Sequence, residues 1–438
     1  MAIGRPAVVA RRSLFFIIQT IHKLMLKKSP LVVIGALFFI FGFVTWLNST
    51  LVPFLKIACE LNNFQSYFVT FMFYIAYFIF AIPSSRVIDR IGYQRSISVG
   101  LGVMAVGAML FVPAAYSRFY LFFLAGLFLM GAGLALLQTA ANPYAAVLGS
   151  PQTAANRISM MGVCNKFAGI LAPLVLGSVT LKSADAVLRQ IQDSSLTEAA
   201  RAEILDSLAL QCVIPYLCIV ATLALLSLFI RRVSLPDIRK DETVAEPAAD
   251  KKDSIFRHGN LWGGVLALFF YVGAEVISVD SLINYASSLG ISSYSAKIFP
   301  ALSMVAFLIG YLLGIVGIPR WFSQRTALIL SASGCMAVVT ASLLCSGILS
   351  VYILVWLGLT NAMIWPAVWG LAIEGLGKHT SLGSSLLVMA IVGGALLPLL
   401  FGRLVDTFGY GSAYLLFYPC YAIILGYALW RKPKNCYL

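Results

Sequence analysis

Charge is scarce in this chain. Only 11% of its 438 residues are Asp, Glu, Lys or Arg, while 60% are hydrophobic. A soluble domain carries about 25% charged residues, so a water-facing globular surface is excluded. Histidine is scarcer still: His22, His258 and His379 are the three present, and all fall outside the long apolar runs. There is no metal-ligand spacing, no phosphate-binding glycine loop and no clustered nucleophile, so an enzyme is not expected, nor is a metal or a cofactor. The eight cysteines form no CxxC pair and read as small buried hydrophobes. Residue-by-residue alternation of polar and apolar side chains is missing too, which excludes a porin-type barrel. The first long apolar run has no small-residue cleavage site and is long enough to remain as a span.

What the chain does have is apolar runs of membrane-spanning length, each about 20 residues or more. Breaks at charged residues, Pro and Gly place them near 31–55, 65–85, 96–115, 119–147, 157–180 and 209–230. A second set lies near 260–285, 296–318, 326–346, 350–373, 382–402 and 411–430. The densest charge in the chain, with two prolines, separates the sets. The expected layout is a cytoplasmic segment 1–30, a six-helix half 31–230, a solvated cytoplasmic linker 231–258, and a second half with a short tail, 259–438. The stretch Ser13 to Leu26 is amphipathic and suits the inner membrane surface, with Met25 as an alternative start.

The net charge of +14 invites a nucleic-acid reading until the charges are located. Of 31 Lys and Arg, 23 fall in loops on one side of the spans and seven on the other, with Lys166 inside a span. That bias sets orientation and puts both termini and the linker in the cytoplasm. No nucleic-acid partner is called for.

The two sets of spans repeat each other. ALFFIFG at Ala36 to Gly42 matches ALFFYVG at Ala267 to Gly273, an offset of 231. Arg90, Gln94, Arg95 and Ser96 match Arg320, Gln324, Arg325 and Thr326 at 230. Gly169, Leu171, Pro173, Leu174 and Gly177 match Gly394, Leu396, Pro398, Leu399 and Gly402 at 225. Two related six-helix halves predict an all-α transporter with a central cavity whose access alternates as the halves rock.

The loop after the second span, from Ser85 through Asp89, Arg90 and Gly92 to Arg95, resembles the major facilitator signature, with Ser85 where a glycine usually stands. Asp89, Arg90 and Arg95 are thereby expected to act as a gate element. More specific is Leu137-Gln138-Thr139-Ala140-Ala141-Asn142-Pro143-Tyr144. Together with Trp46-Leu47-Asn48-Ser49, Tyr271 to Glu275 and Gly383-Ser384-Ser385, it resembles the fucose, galactose and glucose to proton symporter family of bacteria, from about residue 35 to about 405. The resemblance implies a major facilitator fold of twelve helices in the inner membrane. It also implies import of a hexose or deoxyhexose with a coupling cation, most simply a proton.

Two positions depart from that family. Gln138 stands where fucose-type members carry glutamate, and a glutamine there resembles the glucose and galactose branch. Ser49 stands where both branches usually carry an aspartate, and a serine hydroxyl does not exchange a proton near neutral pH. Adding the first-span offset of 231 to Ser49 gives Asp280, a candidate replacement. Its alternative is a hydrated position at the outer edge. Lys166, Glu275 and Asp280 are the ionisable groups expected at membrane depth, with Glu374 marginal, and such groups read as functional. A Lys166 to Glu275 pair is a second coupling candidate. Glu275 and Asp280 are about 140° apart around a helix and do not share a face.

Sugar hydroxyls are read by amides, and a ring face packs on an aromatic plane. The candidates are Asn48, Gln138, Asn142, Asn165, Asn284 and Asn361, with Trp46, Trp365 and Trp369 as stacking surfaces. A uniporter, a sodium-coupled carrier and a non-transporting sugar sensor remain as alternatives to a monomeric symporter.

Overall fold

The computed structural model describes residues 30–147, 154–191, 197–232, 255–318, 321, 323–374, 376 and 380–430. The amphipathic stretch 13–26, most of the linker, Arg320 and His379 lie outside the described residues, as does the side chain of Asn142. Among the described residues there are helices and turns and no strand. In hydrocarbon a helix satisfies its own backbone hydrogen bonds, which is why long apolar runs resolve this way.

The first span is split at Leu47 into Pro30–Trp46 and Asn48–Ala58. The second opens with the turn Asn63–Ser66 and continues as Phe68–Ile91; the third is Tyr93–Met109 and Phe111–Ser117. Tyr120–Val147, Ala154–Thr180 and Val213–Arg232 are the fourth, fifth and sixth. The seventh is split at Ser281 into Gly259–Asp280 and Leu282–Ser288, and the eighth opens with the turn Ser293–Ala296 before Ile298–Gly317. Gln324–Leu344 is the ninth; Ile348–Val355, Leu357–Asn361 and Ile364–Ile373 make the tenth.

By length and apolarity, 11 helical stretches among the described residues suffice to cross a membrane. The last of them, Leu382–Trp430, has 49 residues. A straight helix of that length would run roughly 73 Å, more than twice the hydrocarbon thickness. It turns back at Gly409, where φ is +79°, a left-handed geometry that glycine adopts without steric cost. It therefore counts as two crossings, the eleventh and twelfth spans.

The sequence repeat has a packing cause. A Cβ on Gly42 would lie 2.1 Å from the Asn165 carbonyl oxygen, so this glycine is where the fifth span crosses the first. A Cβ on Gly273 would lie 2.2 Å from Leu397, where the eleventh span crosses the seventh. Both close the repeated ALFF strings. At the basic face, Gln94 Nε2 donates to the Ile230 carbonyl (2.6 Å), and Arg325 Nε donates to that of Ala428 (2.8 Å). Neighbouring positions of the repeat thus tie the third span to the sixth and the ninth to the twelfth.

Two further helices, Ala184–Ile191 and Glu198–Leu210, lie on the face opposite the basic one and were not expected from the sequence. The second is held by ion pairs from Arg118 to Asp206 (3.3 Å) and from Arg201 to Glu60.

Candidate functional site

Lys166 stands near the middle of the fifth span, Ala154–Thr180, and Glu275 in the seventh. Lys166 Nζ lies 2.6 Å from Glu275 Oε1, with the two side chains 6% and 12% exposed. The ammonium also sits 4.1 Å from the ring centroid of Phe307 and 4.4 Å from that of Trp46. One donor meets a carboxylate, and two π faces take up part of the remaining charge. Trp46 is oriented in turn by its Nε1, which donates to Asn165 Oδ1 (3.3 Å). Leu47, Ala172, Leu176, Val279, Met304 and Ala362 pack around these rings as a small apolar cluster drawn from both halves.

Asp280 ends the first helix of the seventh span and is 1% exposed. Thr70 Oγ1, in the second span, donates to its Oδ2 (3.2 Å). Five residues of helix turn about 140°, which is why Glu275 reaches the fifth span while Asp280 reaches the second. Each carboxylate crosses from the second half to the first, by a different route.

Ser49 is fully buried, and its hydroxyl donates to the Trp46 carbonyl one turn back (2.8 Å). Its polar group is spent within its own span. Beside it Asn48, 2% exposed, has an amide nitrogen with no acceptor among the described residues, and so does Asn284, 7% exposed. These two amides follow the turns at Leu47 and Ser281, in the first span of each half. An unsatisfied buried donor costs about 1–3 kcal/mol, so a ligand oxygen is the natural partner for either.

The other candidates are distributed unevenly. Trp365 stacks on Trp369, centroids 5.5 Å apart, and lies 6.4 Å from the ring of Tyr271. Gln138 is half-buried in the fourth span. Asn361 is fully buried; its Oδ1 accepts from Tyr421 Oη (3.1 Å) and Cys335 Sγ (3.4 Å) of its own half, while its Nδ2, like those of Asn48 and Asn284, has no acceptor among the described residues. Asp89, Arg90 and Arg95 are exposed at the basic face, Asp89 roughly 28 Å along the second span from Thr70. Glu374 follows the last helix of the tenth span, and its carbonyl accepts from Asn260 Nδ2 (2.9 Å). Among the described residues no group of three or more His, Cys, Asp or Glu gathers as a metal site would require.

Sequence reasoning missed Thr70 and Phe307. A threonine or a phenylalanine inside an apolar run carries no local signal, and the repeat does not help, since the offset of 230 takes Thr70 to Pro300.

Comparison with known proteins follows the same lines. The family model of the Major Facilitator Superfamily matches residues 34–390. The chain is 36% identical over 397 residues to the glucose/galactose transporter of Brucella abortus, covering 90% of this chain and 92% of that one. It is 32% identical over 415 residues to the L-fucose-proton symporter of Escherichia coli, with 92% and 93% covered. Among solved structures it resembles the transporter FucP in its outward conformation, with a TM-score of 0.68, 30% identity, and 93% of this chain and 99% of that one covered.

Proposed function

Because the chain belongs to the Major Facilitator Superfamily, and the relatives it matches are transporters and not enzymes, we propose that it imports a hexose or deoxyhexose sugar by proton symport. The membrane is the bacterial inner membrane, with the basic face, both termini and the linker 231–258 in the cytoplasm, as the 23 to seven bias in Lys and Arg requires. The working unit is a monomer in which half 31–230 rocks against half 259–438.

The observation that carries this reading is the Asp280 carboxyl, 1% exposed and bonded across the halves to Thr70. It supplies at the interface between halves the exchangeable proton that Ser49 lacks. When the halves part on the outer side, Asp280 takes a proton and the sugar settles against Asn48, Gln138, Asn142, Asn165, Asn284 and Asn361, with Trp46 and Trp365 along its ring face. The neutral carboxyl and bound sugar let the outer side close and the inner side open, where both leave. The Lys166 to Glu275 pair joins the same two halves and is remade in each cycle, so the protein carries no naked buried charge through the change.

A uniporter is the second reading, and Ser49 is what favours it. Uptake by proteoliposomes of fucose, galactose, glucose and modified hexoses, under imposed pH and sodium gradients, separates the two. A symporter accumulates its sugar only with an inward proton gradient and stops on addition of a protonophore. Equilibration without accumulation means a uniporter, sodium-driven accumulation a sodium carrier, and binding without uptake a sensor.

A further inference from the structure

On the face opposite the basic one, each half offers the start of a short capped turn to an aspartate of the other half. In the first half the turn is Asn63–Ser66, capped by Asn62 Oδ1, which accepts from Gln65 N (2.7 Å). In the second it is Ser293–Ala296, capped by Ser292 Oγ, which accepts from Ser295 N (3.1 Å). The two turns stand 230 residues apart in sequence, the offset of the internal repeat.

Asp406 of the eleventh span meets the first turn. Its Oδ1 accepts from Asn63 N (3.1 Å) and Asn63 Nδ2 (2.7 Å), and its Oδ2 from Phe64 N (2.8 Å). Tyr410 Oη, from the same half as Asp406, donates to Asn63 Oδ1 (2.9 Å). Asp185, in the helix after the fifth span, meets the second turn. Its Oδ1 accepts from Ser293 N (2.8 Å) and its Oδ2 from Tyr294 N (3.4 Å). Beneath each contact a glycine lets the helices touch. A Cβ on Gly402 would lie 2.7 Å from the Tyr67 ring, and one on Gly177 3.1 Å from the side chain of Lys297. Tyr67 and Lys297 are again 230 apart. Asp406 follows its glycine by four residues and Asp185 by eight, so the second aspartate comes one turn later but does the same work.

We propose that Asp406 and Asp185 are paired latches that hold the outer gate shut, each closing one side of the cavity by gripping the free N–H groups of the opposing half. The first N–H groups of a helical turn have no partner within it, and a carboxylate is the charge they favour. Charge-assisted bonds to two backbone donors also fix direction, so they form only when the halves meet in register. Opening the cavity to the outside parts the second span from the eleventh and the fifth from the eighth, and must break both latches. Two equivalent latches make closure symmetric: neither side of the cavity shuts firmly without the other. This rests on the alternating-access part of the proposed function and is independent of which sugar or ion is carried.

Hydrogen–deuterium exchange of the full-length protein in lipid nanodiscs tests it without any substrate. In Asp406→Asn, the closed-to-open ratio should fall roughly two- to thirtyfold. Uptake of deuterium should then rise at residues 61–68, rise also at the untouched latch at 289–298, and fall at 364–373, the half-buried stretch at the basic end of the tenth span. Asp185→Asn should give the same pattern with the two latches exchanged. A rise confined to the altered turn, or no change, would overturn the proposal, since a merely local cap does not reach the other latch or the other face. Asp406→Glu and Asp185→Glu serve as fold controls that keep the charge. If neither aspartate variant folds while both glutamate forms do and show wild-type exchange, the carboxylates are structural staples and the latch is rejected.

Discussion

The ammonium of Lys166 and the carboxylate of Glu275 meet at 2.6 Å across the boundary between the two halves, under the rings of Trp46 and Phe307. With so little exposure, neither charge can fall back on water. Removing one partner of a buried pair strands the other, at a cost of about 3–5 kcal/mol, whereas removing both is often close to neutral. Lys166→Met and Glu275→Gln should therefore each lower the melting temperature of the purified protein sharply, and the double variant should recover most of the loss. Losses that simply add in the double variant would show that the two groups do not depend on each other. The stable double variant also asks what the pair does in transport. Proton-coupled uptake unchanged from wild type would make it structural only.

Asp280 is bonded across the halves by a single hydroxyl donor, that of Thr70. Asparagine keeps the size of the side chain and can still bond to Thr70, but it cannot exchange a proton. Asp280→Asn should fold and bind sugar, yet let it equilibrate without accumulation, and sugar entry should no longer acidify the liposome interior. Both are read from one preparation with a trapped pH dye. Accumulation at the wild-type ratio would remove Asp280 from the coupling step.

Much of this architecture is legible in the chain. The span boundaries follow apolar runs ended by charge, Pro and Gly, and the repeat includes the glycines at helix crossings, Gly42 and Gly273, where an added Cβ would force a neighbour to shift. Lys166 and Glu275 stand out because charge in a span is rare enough to be noticed. What stays hidden is the set of partners. Thr70, Phe307 and the backbone donors of Asn63 and Ser293 gain their roles only when helices from opposite halves approach, and nothing in their own neighbourhoods announces it. Asn361 divides its polar group: the oxygen is taken by Tyr421 and Cys335, partners from its own half that the sequence does not announce, while the amide nitrogen has no acceptor among the described residues.

Ser49 occupies the place of the carboxylate that related carriers are expected to use, and its hydroxyl is engaged one turn back along its own helix. Ser49→Ala removes that local bond and nothing else. The effect on stability should stay within about 0.5–1.5 kcal/mol, the net worth of one hydrogen bond. The proton-to-sugar ratio should be unchanged, as measured by paired sugar and proton fluxes. A changed ratio would mean that the hydroxyl, with whatever it orders around it, takes part in coupling after all.

Gly42 and Gly426 are both helical glycines, and they should respond in opposite ways to the same substitution. Around a Cβ on Gly426 there is open space, so Gly426→Ala should gain about 0.5–1 kcal/mol from the reduced freedom of the unfolded chain. A Cβ on Gly42 would sit 2.1 Å from the Asn165 carbonyl oxygen, which belongs to the backbone and cannot swing aside. Gly42→Ala must push the first span off the fifth, with an overpacking cost of about 1–3 kcal/mol or more. Because Asn165 holds Trp46 and precedes Lys166, the displacement should loosen the ion pair as well. The penalty of Gly42→Ala should accordingly shrink in the Lys166→Met/Glu275→Gln background, a non-additivity that melting curves of the combined variant would reveal.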